Sequence, residues 1–141
     1  DRWTTTDAAG FDERADVMRR FFDNIVVAPG INANGTFTLG ENLADYGGIT
    51  ISFTAYKNFG IPSNEVNGLT PDMRFFIAYA GAWAQNIRYA EMLRLTKMDE
   101  HSLCPNRVNG ILPHINAWYD AFGITPSDKL YIAPDERVKL W

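Results

Sequence analysis

The feature that most limits how this chain can fold is the run Gly40-Glu41-Asn42-Leu43-Ala44-Asp45-Tyr46-Gly47-Gly48, continued by Ile49-Thr50-Ile51-Ser52-Phe53-Thr54-Ala55-Tyr56. It reads as one helix. Helical geometry places Glu41 and Asp45 on a single face, which continues through the small residues Gly48, Ser52 and Ala55. Leu43, Tyr46, Ile49, Ile51, Phe53 and Tyr56 cover most of the rest, so the helix is expected to be buried nearly all round and to carry its two carboxylates inward with it. A buried carboxylate finds a partner or loses its charge, and a metal ion or its ligands is one such partner. An acid in the first turn is also favoured by the helix dipole, and acids four residues apart are common on surface helices. The pair alone does not decide between a ligand and a solvated face.

At 141 residues, 46% hydrophobic and 13% aromatic, the chain has one domain's worth of core-forming material. Its net charge of -4 without any basic run argues against nucleic acid or an anionic membrane as partner. Cys104 is the single cysteine, which excludes an internal disulfide and a cysteine-based metal site. No signal segment is read at Asp1. The uncharged run Phe75 to Ile87 falls short of the roughly 20 residues needed to span a bilayer and reads as a buried helix.

In chain order, Thr4, Thr5 or Thr6 is available as an N-cap for a first helix. Its apolar residues Ala8, Phe11, Ala15, Met18, Phe22 and Ile25 recur at helical spacing. Pro29-Gly30 ends that element, and Thr36 to Leu39 reads as a short extended piece. The Glu41 helix is expected to stop at Gly60-Ile61-Pro62. Thr70-Pro71-Asp72 is a strong helix start, and the helix after it is expected to form a central core with the Glu41 helix. A connection from Asp99 to Gly110 crowds polar and turn-forming residues together, the usual setting for function. Leu112-Pro113 opens a last helix, closed by Gly123, in which His114 reads as structural or exposed. The tail to Trp141 reads as extended or turn-like, with Trp141 docked. The prediction is a mainly α-helical single domain, with helices near 7–26, 40–59, 71–86, 89–98 and 112–122.

The segment Asn32 to Gly48, with Glu41-Asn42-Leu43-Ala44-Asp45 at its centre, resembles the signature of the neprilysin and endothelin-converting-enzyme family of zinc metallopeptidases. Asp99-Glu100-His101-Ser102 followed by Asn106-Arg107-Val108-Asn109-Gly110 is similar to a second motif of that family, including the six-residue spacing from His101 to Arg107. The C-terminal Pro134 to Trp141 is similar as well, although Val138 stands where many animal members carry a cysteine. The resemblance therefore covers essentially the whole chain. It implies that residues 1–141 are the C-terminal helical subdomain of a zincin-type catalytic domain. It further implies Glu41 as a zinc ligand, Asp45 as the carboxylate that orients a zinc-bound histidine, His101 as a donor to the oxyanion of the tetrahedral intermediate, and Arg107 as a binder of a substrate carbonyl. These last two roles suit peptide hydrolysis, in which negative charge develops on the carbonyl oxygen.

The family's H-E-x-x-H helix is absent, since the chain has only two histidines, His101 and His114. In the family it lies upstream. The chain taken alone is therefore expected to lack peptidase activity and a tight zinc site, because one carboxylate does not make a catalytic zinc centre. The partners implied are an oligopeptide substrate and the N-terminal part of the catalytic domain, with self-association through the small-residue face of Gly48, Ser52 and Ala55. The family setting implies an extracytoplasmic location. The competing reading is a non-catalytic helical module that binds peptide or protein.

Overall fold

Thr4 accepts the Asp7 backbone N–H on its hydroxyl at 3.1 Å and so starts α1, Thr5–Asp23, in the computed structural model, which describes residues 3–60 and 63–140. The apolar stripe of α1 buries Ala15, Met18 and Phe22. The helix stops short of residue 26. Val26–Ala28 (β1) instead pairs antiparallel with Ile31–Asn32 (β2) across Pro29-Gly30, where Gly30 takes a φ of 71°. Adjacent β-branched valines ahead of a Pro-Gly turn favour a hairpin over another helical turn.

Thr36 to Leu39 is not extended. Asn34 organises a turn there: its side-chain oxygen accepts the Phe37 N–H at 2.9 Å, and its carbonyl accepts from both the backbone and the hydroxyl of Thr38. Asparagine competes well for local backbone donors, and this turn delivers the chain directly into α2, Leu39–Asn58. Gly35 sits against α1, with its N–H donated to Asp23 Oδ1 at 2.7 Å. A Cβ added there would fall 2.0 Å from the Arg19 carbonyl oxygen. Gly35→Ala should therefore cost about 1–3 kcal/mol in urea unfolding, whereas Gly10→Ala, in the open middle of α1, should be neutral or stabilising. Equal effects of the two would remove the close approach from the account.

The expectation that α2 is buried nearly all round is corrected. Asn42, Tyr46, Gly47 and Ile49 are buried, while Gly48, Ile51, Ser52 and Ala55 are exposed. An apolar sequence with weak one-sidedness leaves the choice of buried face to the neighbouring elements, here chiefly α1. Gly60, at φ 75°, follows the end of α2 as a left-handed glycine; Ile61 and Pro62 lie outside the described residues.

Thr70 caps α3, Pro71–Ala82, through the Met73 N–H at 3.2 Å. This helix ends at Ala82 rather than near 86, and Phe76 is its buried residue, with Phe75 and Tyr79 partly so. It is thus one wall of the core. The centre is the cluster of Met18, Phe22, Tyr46, Ile49, Ile111, Trp118 and Tyr119, closed by Val138 and Leu140 from the C-terminal segment. Tyr46 of α2 donates its hydroxyl to the Val138 carbonyl at 3.0 Å within that core.

α4, Tyr89–Met98, matches its predicted span. The following connection contains a helix that periodicity did not announce, α5, Cys104–Asn109, with Pro105 in its first turn. The predicted single helix 112–122 is divided. Leu112–His114 forms a 3-10 turn, Ile115 is extended at φ -107° and ψ 110°, and α6, Asn116–Phe122, ends on Gly123 at φ 64°. The break turns His114 inward. Its Nδ1 accepts the Val138 N–H at 3.2 Å and its ring meets Phe21 edge-on at 4.7 Å. Of the two options, structural or exposed, the residue is structural. Trp141 lies outside the described residues. Among the described residues no helix is long and apolar enough to cross a membrane.

Candidate functional site

Glu41 and Asp45 leave α2 one turn apart, and each meets a cation-forming side chain from the region that follows α4. The Arg107 guanidinium, carried on α5, grips Asp45 with two parallel bonds, Nε to Oδ2 and Nη2 to Oδ1, both 2.7 Å. The pair is sheltered, with side-chain exposures of 15% and 13%. The bidentate fork fixes the guanidinium plane, and the Trp83 ring packs on it with its centroid 3.8 Å away. Tyr79 donates its hydroxyl to the Arg107 carbonyl at 2.8 Å, which anchors α5 to α3. The hydrogen bond that Arg107 donates to Asp45 raises the Arg107 pKa above its ordinary value, against the opposing effect of burial.

One turn earlier, His101 Nε2 lies 3.2 Å from Glu41 Oε2. This pair is open, with side-chain exposures of 42% and 39%. Asp99 Oδ1 accepts both the His101 backbone N–H and its Nδ1, each at 2.9 Å, so the ring is oriented with Nε2 toward Glu41. The Asp99 hydrogen bond raises the His101 pKa and outweighs the opposing effect of burial, while the Glu41 charge adds a lesser push in the same upward direction. His101 is thereby biased toward its doubly protonated, donor form.

The loop that presents His101 is tied to α2 by a buried relay. Ser102 Oγ donates to Asn42 Oδ1 at 2.7 Å, and Asn42 Nδ2 donates to Thr38 Oγ1 at 2.9 Å. A hollow of about 300 Å³ lined by His101, Ser102, Leu103, Cys104, Arg107 and Gln85 lies beside the two pairs. Glu41, Asp45, His101 and Arg107 are thus brought to one surface. Sequence reasoning assigned no role to Asp99, Asn42, Ser102 or Trp83. The polar Asn42 inside an apolar helix was one signal available, since a buried amide requires partners, and Asp99 and Ser102 stood within the motif that flanks His101.

The group that the resemblance implies, zinc, can be weighed against these residues. Glu41 is an accessible carboxylate whose other neighbour is an imidazole, a donor set suited to contribute one ligand. No set of three or more His, Cys, Asp or Glu able to hold a metal occurs among the described residues. The chain fits zinc as one contributor and not as a whole site.

The sequence profile of Peptidase family M13 matches residues 1–138. A neutral endopeptidase of Lactococcus lactis subsp. cremoris is 32% identical over 140 residues, covering 99% of this chain and 21% of its own length. Neprilysin of Homo sapiens is 30% identical over 149 residues, covering 100% of this chain and 20% of its own. Among solved structures, the Mycobacterium tuberculosis zinc metalloprotease ZMP1 in complex with an inhibitor superposes with a TM-score of 0.93 at 32% identity, over 100% of this chain and 23% of that one. PepO from Lactobacillus rhamnosis HN001 gives 0.83 at 30% identity, over 99% and 21%. The mainly α-helical fold is therefore that of a part of these metalloproteases, and the chain spans about a fifth of the length of the curated relatives it matches.

Proposed function

Because this chain belongs to peptidase family M13, we propose that residues 1–141 form the C-terminal helical part of a zinc metalloendopeptidase catalytic domain that hydrolyses peptide bonds in oligopeptides. The observation that carries this reading is the paired array on α2, Glu41 with His101 and Asp45 with Arg107, set one turn apart beside a common hollow.

Glu41 is the residue that would hold the metal. The chemistry a bound zinc ion supplies is polarisation of a carbonyl and ionisation of a water. This chain's own residues do the positioning. Asp99 holds His101 by Nδ1, so that Nε2–H, which faces Glu41 in this chain, would donate in the complete site to the oxygen that becomes negative as the peptide carbonyl turns tetrahedral. Removal of such a donor typically costs roughly 10²–10³ in turnover. Arg107, held flat between Asp45 and Trp83, directs its remaining N–H groups at a second substrate carbonyl. Asp45 keeps lone pairs free on both oxygens, enough to accept from the histidine of a complete site while still holding Arg107.

In the same reading the exposed face of Gly48, Ile51, Ser52 and Ala55 is covered by the rest of the catalytic domain, and the chain alone self-associates through it. An extracytoplasmic setting goes with the family. Calorimetric zinc titration and a peptide-cleavage assay test the proposal, on this chain alone and joined to the sequence encoded upstream of it. The expected result is weak zinc binding and no cleavage by the chain alone, with chelator-sensitive cleavage by the joined protein that Glu41→Gln abolishes. Sub-micromolar zinc binding by the chain alone, or a folded joined protein without cleavage, would overturn it; the second outcome favours the binding module.

A further inference from the structure

A separate cavity of about 360 Å³ lies between the middle of α2 and the C-terminal segment, walled by Thr50, Thr54, His114, Asn116, Arg137 and Lys139 among others. None of the four paired residues of the candidate site lines it, and no carboxylate among the described residues does. Arg137 is the unusual group. It is only 9% exposed, yet its charge meets no carboxylate among the described residues. Its Nε donates to the Ile132 carbonyl at 3.0 Å and its Nη1 to Asn116 Oδ1 at 2.7 Å, while the Tyr119 ring lies under it with the centroid 3.5 Å away. The Tyr131 ring lies farther off, its centroid 5.7 Å away; all of these partners are neutral, and Nη2 makes no hydrogen bond among the described residues. Nη2 is not sealed from solvent.

A guanidinium removed from water without a counter-ion is costly, and cation–π contact with neutral acceptors offsets only part of that cost. The field of Arg137 reaches His114 in the same wall, where it adds to burial in holding the imidazole neutral. Lys139, exposed at the cavity, adds a second positive charge. A concave site with two cations and no acid among the described residues attracts an anion of matching size, and a free guanidinium edge favours an oxyanion.

We propose that this cavity is an oxyanion-binding site in which Arg137 and Lys139 hold the phosphate or carboxylate group of a small ligand. The site is independent of the peptidase reading and stands or falls without it. The test is thermal unfolding and calorimetry of this chain titrated with inorganic phosphate and, in a separate arm, with acetate, chloride holding the ionic strength constant. The expected result is a saturable rise in Tm with one of the two anions, phosphate identifying a phosphoryl ligand and acetate a carboxylate. Lys139→Gln should weaken that binding about tenfold, the worth of one charge-assisted contact, while leaving the Tm in chloride unchanged. Arg137→Met should abolish it; because that variant removes a buried packing group, Lys139→Gln is the deciding one. No saturable effect of either anion, or an equal effect in Lys139→Gln, would overturn the proposal.

Discussion

Arg107→Ala should destabilise this chain by about 3–5 kcal/mol, the usual cost of removing one partner from a sheltered ion pair. The two 2.7 Å bonds to Asp45 are shielded from water by the Trp83 ring and by α5 itself, so neither Coulomb attraction nor hydrogen bonding is screened as at an open surface. Without Arg107, Asp45 remains as a sheltered carboxylate with no cation. Asp45→Ala leaves the converse, a guanidinium held against Trp83. The double variant should lose clearly less than the sum of the two, because each single change includes the penalty of stranding the other charge. Urea unfolding of the four proteins measures this. Additive losses would mean that the pair is an open contact with no role in fixing the α2–α5 geometry. Glu41→Ala is the control, since the Glu41–His101 pair is open and surface pairs contribute little.

Acid should weaken the fold well before the carboxylates titrate, through His114. Burial, with the Arg137 charge adding to it, lowers the pKa of this histidine to about 4, against an ordinary value near 6.5 in the unfolded chain. Between those values the unfolded chain binds a proton that the folded one refuses, so unfolding becomes more favourable as pH falls from about 6.5 to about 4. The difference corresponds to about 3 kcal/mol lost across that window. His101 acts with the opposite sign, because its pKa is raised, but it is partly exposed and its effect is screened. Asp99 and Asp128, both lowered, remove stability only further down, as the carboxylates protonate. Urea unfolding from pH 7 to pH 4.5 in the parent and in His114→Gln separates the contributions. The parent should fall steeply and the variant should lose most of that slope. Parallel curves would show that His114 is not the group responsible.

Helix starts were legible wherever a side chain satisfied a backbone donor locally. Thr4 and Thr70 cap α1 and α3, and Pro71 needs no hydrogen bond in the first turn. The apolar stripe Ala15, Met18, Phe22 was legible for the same kind of reason, because helical periodicity alone brings those residues to one face. So was the proximity of Glu41 and Asp45 to each other. α5 was hidden because six residues with a proline in the first turn carry too little periodicity to stand out in a polar connection. The break at Ile115 was hidden because it serves a contact 24 residues away, His114 with Val138.

Sequence by itself thus determined the starts of the longer helices, the caps of α1 and α3, and which residues could do acid, base or donor chemistry, since those depend on neighbours within about a turn. Only the tertiary structure decided which charges meet. Asp45 and Arg107 are separated by 62 residues, beyond the reach of any local pattern, and their pairing follows from α5 being seated beside α2 by the Ser102–Asn42 relay and the Tyr79 anchor. It also decided that α2 buries Asn42, Tyr46 and Ile49 and leaves Ile51 and Ala55 outside. A helix that is apolar on nearly every side carries no internal preference strong enough to choose, so its burial is set by whatever packs against it.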